Sequence, residues 1–190
     1  MAIALVGDCG VIAVERCDLG IATVLARKQR LPELAGQVRA CFNLELPLGP
    51  RRAANNNVAF CGLGPRTWLA VREAGDGAFA SSLRRRIGEF AAVSDQSDAY
   101  AVLRLTGPKV REALAKGVPL DLHATAFGVN DVAATVIAHI GATIWRVEDG
   151  LDGAPTFEIA VFRSLANSVW HWLSASAAEF GLSFARASPD

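Results

Sequence analysis

Ser94, Asp95, Ser97 and His123 carry the groups from which a nucleophile, its base and an orienting carboxylate could be drawn, and all lie between Val93 and His123. Acyl transfer by such a trio needs the three side chains in contact, and one common way of presenting the serine is a strained G-x-S-x-G elbow. No elbow accompanies these residues. The run V-S-D-Q-S has instead the composition of a turn, in which Ser94, Asp95 and Ser97 bond the nearby backbone while Asp121 and His123 close the loop after a helix. These residues are therefore expected to shape the chain, not to cleave a substrate.

Other chemistry-bearing residues define no site by spacing. His123, His139 and His171 have no cysteine or carboxylate at metal-ligand distance in sequence, so no metal site is expected. Cys9, Cys17, Cys41 and Cys61 contain no C-x-x-C pair and are expected as free, buried thiols in a reducing cytoplasm. Gly62-Leu63-Gly64-Pro65 lacks both a third glycine and a following Lys-Ser or Lys-Thr, which makes it a tight turn rather than a phosphate loop. Arg84, Arg85 and Arg86 read as a helix end whose cations complement the C-terminal dipole. With 19 basic and 19 acidic residues the chain carries no net charge, which argues against a nucleic-acid partner. The apolar start MAIALVGDCGVIAVER has no basic n-region and is interrupted by Asp8, Glu15 and Arg16, so neither a signal peptide nor a membrane span is expected, and the localisation expected is cytoplasmic.

The elements that would position these residues follow from periodicity and punctuation. Tyr100 to Leu105 alternates as a strand, with Ala101, Leu103 and Leu105 on one face. A helix follows, opened by Pro108 and closed by Gly117 as a left-handed cap, with Val110, Ala113 and Leu114 facing inward. Earlier, Asp18 to Arg30 suits either a helix or a strand. Pro32 begins a helix with Leu34, Val38, Cys41 and Phe42 on one stripe, and Asn43 to Asn57 reads as an exposed loop, part of it ordered by a partner. Val58 to Val71 gives two strands around the glycine turn, and a helix runs from Asp76 or Gly77 to Ile87. Asp131 to Val147 fits one long strand bent at Gly141 or a pair, and Thr156 to Phe162 is the last strand. Ser164 is expected to cap a final helix carrying Leu165, Val169, Trp172, Leu173 and Phe180, which Gly181 ends.

At 190 residues and 52% hydrophobic, the chain can bury roughly 70% of its extended surface. Strands clustered with a few helices, without strict alternation, predict an α+β fold with a mainly antiparallel sheet. The expected layout is an N-terminal segment over 1–57, a core over 58–182 and a frayed tail over 183–190.

Several runs resemble the gamma subunit of heterotetrameric sarcosine oxidase: Val93 to Ser97, Leu103 to Pro108, Leu114 to His123, Gly64-Pro65 with Trp68-Leu69, and Ala138-His139-Ile140. Ile144-Trp145-Arg146, Phe157-Glu158, Val161, Arg163-Ser164 and Ser168-x-Trp170-x-Trp172-Leu173 extend the resemblance. More distantly the chain resembles the folate-binding T-protein of the glycine-cleavage system, although Trp145 to Phe157, WRVEDGLDGAPTF, lacks its G-Y-T-G-E type motif. The resemblance implies a T-protein-like architecture and a non-catalytic subunit. Its complex would demethylate sarcosine oxidatively to glycine, with hydrogen peroxide and formaldehyde or methylene-tetrahydrofolate. Alpha, beta and delta subunits would be the partners, carrying FAD, FMN, NAD, zinc and tetrahydrofolate, with no cofactor on this chain. The alternative it implies is a stand-alone protein that binds folate or another one-carbon carrier.

One helix position suggests where a partner would sit. Trp170 lies about 100° around the last helix from the centre of its apolar stripe, on the shoulder. Half-covered aromatics and arginines are common anchors of subunit contacts, so Trp145, Arg146 and Trp170 are expected at a protein interface.

Overall fold

The computed structural model describes residues 9–55, 57–74, 77–150 and 152–186. In chain order the elements are β1 (Val11–Glu15), β2 (Gly20–Ala26), α1 (Leu31–Phe42), β3 (Arg52–Ala54), β4 (Val58–Gly64), β5 (Thr67–Arg72), α2 (Phe79–Ile87), β6 (Ala91–Asp95) and β7 (Tyr100–Thr106). They continue with α3 (Val110–Ala115), β8 (Val132–Ile137), β9 (Ile140–Val147), β10 (Thr156–Phe162), α4 (Ala166–Ala177) and β11 (Leu182–Arg186). Short 3-10 turns, Arg163–Leu165 and Ala178–Phe180, flank α4. Two sheets with few helices make this the expected α+β fold. Two compact units divide the chain, one of residues 9–17, 101–129 and 134–186, the other of 18–100 and 130–133. The division therefore falls elsewhere than at 57 and 182. Residues 18–57 and 58–100 share a unit because β2 pairs with both β5 and β6.

In the first unit the sheet order is β11-β1-β7-β10-β9-β8. β1 runs antiparallel to β7 and β9 to β10, while β11 runs parallel to β1. The segment from Val132 to Val147 is a strand pair, and its turn lies at Ala138-His139, not at Gly141. Ala138 and His139 have φ of 46° and 74°, the two left-handed residues that a two-residue hairpin turn requires. Gly117 does not take the left-handed conformation expected of it. It is needed for space instead, since a Cβ there would come within 2.7 Å of the Trp172 indole. Ser164 falls inside the 3-10 turn before α4 and makes no capping hydrogen bond. The tail expected to fray is a strand over Leu182–Arg186. Gly181, at φ 74°, turns the chain back so that Val11 N–H donates to its carbonyl at 3.1 Å and the ladder with β1 begins. Residues 187–190 of that expected tail lie outside the described residues.

The second unit is a sheet of order β3-β4-β5-β2-β6 with antiparallel pairing throughout. Asp18 to Arg30 thus resolves as strand β2. Pro32 and Glu33 occupy the first turn of α1, and Asn43, left-handed at φ 52°, ends it. Arg84, Arg85 and Arg86 do fill the last turn of α2. Leu34, Val38, Phe60, Trp68, Leu83 and Ile87 are among the core of this unit. Truncating a buried aromatic such as Phe60 to alanine costs about 3–5 kcal/mol. Residues 43–55 are more ordered than a loop composition suggests. Leu44 and Leu46 are buried, β3 pairs with β4, and Trp68 donates its indole N–H to the Pro47 carbonyl at 2.7 Å. Gly62 makes this strap possible, because a Cβ there would overlap the Gly49 carbonyl oxygen. Among the described residues no helix is long and apolar enough to cross a membrane.

Candidate functional site

Strand β10 carries one acidic residue, Glu158, in an otherwise uncharged, largely apolar run, and almost every residue of that strand is buried. Burying a carboxylate is costly unless donors replace its water. Here they do. Glu158 Oε1 accepts from Arg16 Nη1 and from Arg104 Nε, both at 2.8 Å, and Oε2 accepts from the Trp145 indole N–H at 2.8 Å. The side chains of Glu158 and Arg16 are 4% and 6% exposed, whereas Arg104 reaches solvent at 37%. Three strands are tied by the arrangement, because Arg104 stands on β7, Glu158 on β10 and Trp145 on β9, with Arg16 just past β1. Both oxygens being occupied, the carboxylate is a cross-link of the sheet and not a free base.

The residues expected at an interface separate. Trp145 is 1% exposed and its N–H belongs to Glu158, so it cannot meet a partner at the surface. Arg146 is likewise buried, donating to both oxygens of Asp149 at 2.8 and 3.0 Å and to the Phe127 carbonyl at 3.3 Å. Trp170 alone of the trio retains accessible surface. The physical reason is alternation: β9 is buried along most of its length on both faces, so neither of two adjacent residues there points to water.

Trp170 forms one wall of a groove of about 270 Å³ in the first unit. Its ring lies 4.5 Å from that of Phe184 on β11, centroid to centroid. Ala101 and Leu103 of β7, Val161 of β10 and Ala166 at the start of α4 line the same groove. At the mouth Arg186 Nε donates to Glu15 Oε2 at 2.8 Å, a pair set opposite each other by the β1–β11 register. Phe184 is 47% exposed, and Leu165, which precedes the lining residue Ala166 in sequence, is also exposed. Phe184 and Arg186 were hidden from sequence reasoning by the polar end of the chain. The signal available was the alternation Leu182, Phe184, Arg186 after a glycine.

The other chemistry-bearing residues serve the backbone as expected. Asp95 accepts from the Ser97 amide at 3.0 Å and the Ser97 hydroxyl at 2.8 Å, which holds its carboxyl below the usual aspartate range. Ser97 in turn bonds the amide and carbonyl of Ile21, locking the β6 turn to β2. His123 Nδ1 pairs with the Thr125 hydroxyl at 2.8 Å, and Asp121 accepts from the His123 amide. No disulfide joins the four cysteines, and of the four only Cys61 is buried as expected, Cys9 and Cys41 being half-buried and Cys17 exposed. Among the described residues no group of three or more His, Cys, Asp or Glu is arranged to hold a metal ion.

Comparison with known proteins bears on what this arrangement is for. A family model described as "Sarcosine oxidase, gamma subunit family" matches residues 28–179. The chain is 32% identical over 154 residues to a protein named sarcosine oxidase subunit gamma from Arthrobacter sp., a match covering 79% of this chain and 73% of that one. Among solved structures it is similar to a chain of heterotetrameric sarcosine oxidase from Corynebacterium sp. U-96 in complex with pyrrole 2-carboxylate. That match has a TM-score of 0.77 and 27% identity, and covers 93% of this chain and 88% of the other. The fold is also shared with the glycine cleavage system aminomethyltransferase T from Bartonella henselae, at a TM-score of 0.65 and 18% identity, over 93% of this chain and 48% of that one.

Proposed function

The chain belongs to the sarcosine oxidase gamma subunit family, and from that membership we propose that it is the non-catalytic gamma subunit of a heterotetrameric sarcosine oxidase. In this reading it assembles with alpha, beta and delta chains that carry FAD, FMN, NAD, zinc and tetrahydrofolate. The complex demethylates sarcosine oxidatively to glycine, releasing hydrogen peroxide and formaldehyde or, with tetrahydrofolate, methylene-tetrahydrofolate. The observation that carries the reading is the likeness, along nearly the whole chain, to a chain from an assembled oxidase of that kind.

The side chains support a structural role. Glu158 is bound by two guanidinium groups and an indole, and Asp95 and Ser97 are held in a turn. A protein whose polar groups serve its own rigidity offers a preformed surface, and binding to such a surface loses little to ordering. Trp170 is the residue through which we place that contact.

A tagged copy of the chain, purified gently from its native cell extract, tests the proposal. The expected eluate is yellow, contains larger companion chains and oxidises sarcosine. A colourless single band, from cells expressing the companions, would overturn it, and thermal stabilisation of the isolated chain by tetrahydrofolate would then favour a carrier-binding protein.

A further inference from the structure

Resting on the subunit reading above, we propose that the groove beside Trp170 and the outer edge of β11 form one docking surface, filled by an extended, uncharged segment of a companion subunit that inserts an apolar side chain. Three features determine that occupant. The floor is aliphatic, built from Ala101, Leu103, Val161 and Ala166, so it gains from burying a hydrocarbon side chain. Its one ion pair, Arg186 with Glu15, is internally neutralised, so a charged segment would lose hydration without gaining an opposite charge. The Trp170 and Phe184 rings pack at a tilt of 53° with their centroids 4.5 Å apart and remain partly open to solvent, and aromatics so placed anchor many interfaces once covered.

The backbone specifies the extended form. β11 is the last strand of its sheet, and no described strand pairs with its outer edge. A strand added there would lie about 4.8 Å outward. Alternate side chains of the added strand would stand beside Phe184 on the face that bears Trp170, within the reach of cross-strand neighbours. Main-chain pairing and the apolar pocket thus serve the same segment.

The full-length tagged chain is co-expressed with its companions as wild type and with Trp170→Ala, Ala166→Asp or Ala175→Asp, and the companion protein retained per tagged chain is measured. Ala166→Asp places a charge on the groove floor, and Ala175→Asp places the same charge on an exposed position of α4 away from it. The proposal expects at least about a tenfold loss of companion with Trp170→Ala and Ala166→Asp, with Ala175→Asp retaining the wild-type amount. A hydrogen-exchange comparison of wild type, alone and in the complex, needs no variant to fold and is expected to show slowed exchange in residues 182–186. Wild-type retention by both groove variants, or unchanged exchange over 182–186 in an assembled complex, would overturn the docking surface while leaving the subunit reading intact. Wild type that captures no companion would overturn both. An isolated chain that dimerises, with Ala166→Asp dissociating the dimer, would assign the groove to a second copy and overturn the companion as its occupant.

Discussion

Replacing Glu158 with Gln removes the carboxylate that lies 2.8 Å from Arg16 Nη1 and from Arg104 Nε, while keeping the shape of the side chain. Exposure decides how the cost is shared. Arg104, at 37%, regains water when the carboxylate is gone, whereas Arg16, at 6%, keeps its charge inside the protein. Breaking a buried pair from one side typically costs about 3–5 kcal/mol, and an exposed pair is worth no more than about 1 kcal/mol. Glu158→Gln is therefore expected to destabilise by about 3–5 kcal/mol, and Arg104→Gln by about 1 kcal/mol or less. Replacing both members of the inner pair, Arg16→Met with Glu158→Leu, is expected to recover only part of the loss, since no buried charge of the pair remains but the Trp145 indole N–H is left without its acceptor. Urea unfolding followed by circular dichroism measures these differences as midpoint shifts at constant slope. For a chain of this length the Glu158→Gln change corresponds to a lowering of Tm by about 6–20 °C. The reasoning fails if Glu158→Gln costs less than about 1 kcal/mol, or if Arg104 proves as costly to replace as Arg16.

Gly62→Ala should destabilise the second unit by about 1–3 kcal/mol, because the new methyl group must displace the Gly49 carbonyl and the strap that Trp68 holds; urea unfolding of the variant checks it. Gly117→Ala drives its Cβ against the Trp172 indole and is expected to shift the tryptophan fluorescence of the folded chain along with a loss of stability. Asp95→Asn should cost little, below about 1 kcal/mol, since the group is exposed. Its pH dependence is the sharper test. Asp95 is held below the ordinary aspartate range by Ser97, so its contribution is fully present above about pH 4, the unfolded value, and fades as pH falls through the folded value. A difference between wild type and Asp95→Asn that grew on acidification would contradict that assignment.

Much of the fold was legible because punctuation and periodicity agreed. The helix over Leu31–Phe42 has its proline, acidic first turn and apolar stripe in sequence, and β7 and β10 show clean strand patterns. What escaped were features fixed by contacts outside the local sequence pattern. Gly117 and Gly62 look like turn glycines, but their smallness serves close approach to Trp172 and to the Gly49 carbonyl, partners far away in sequence. β11 looks like a polar terminus and becomes a strand through pairing with β1, the described strand at the opposite end of the chain. The candidate surface was half legible. Helical geometry placed Trp170 on a shoulder, where it lies, but adjacent residues Trp145 and Arg146 belong to a strand buried on both faces, which their spacing alone does not reveal. Glu158 is the lone carboxylate in its strand, but its role was not legible, because its partners on β7 and β9 and after β1 depend on strand order.

Native mass spectrometry of the assembly purified through this chain tests the central claim most directly. The account predicts a species of four unlike chains that contains one copy of this chain and dissociates sarcosine-oxidising activity from the eluate when the assembly is removed. A spectrum holding only this chain, or copies of it, from cells that express the companions would contradict it.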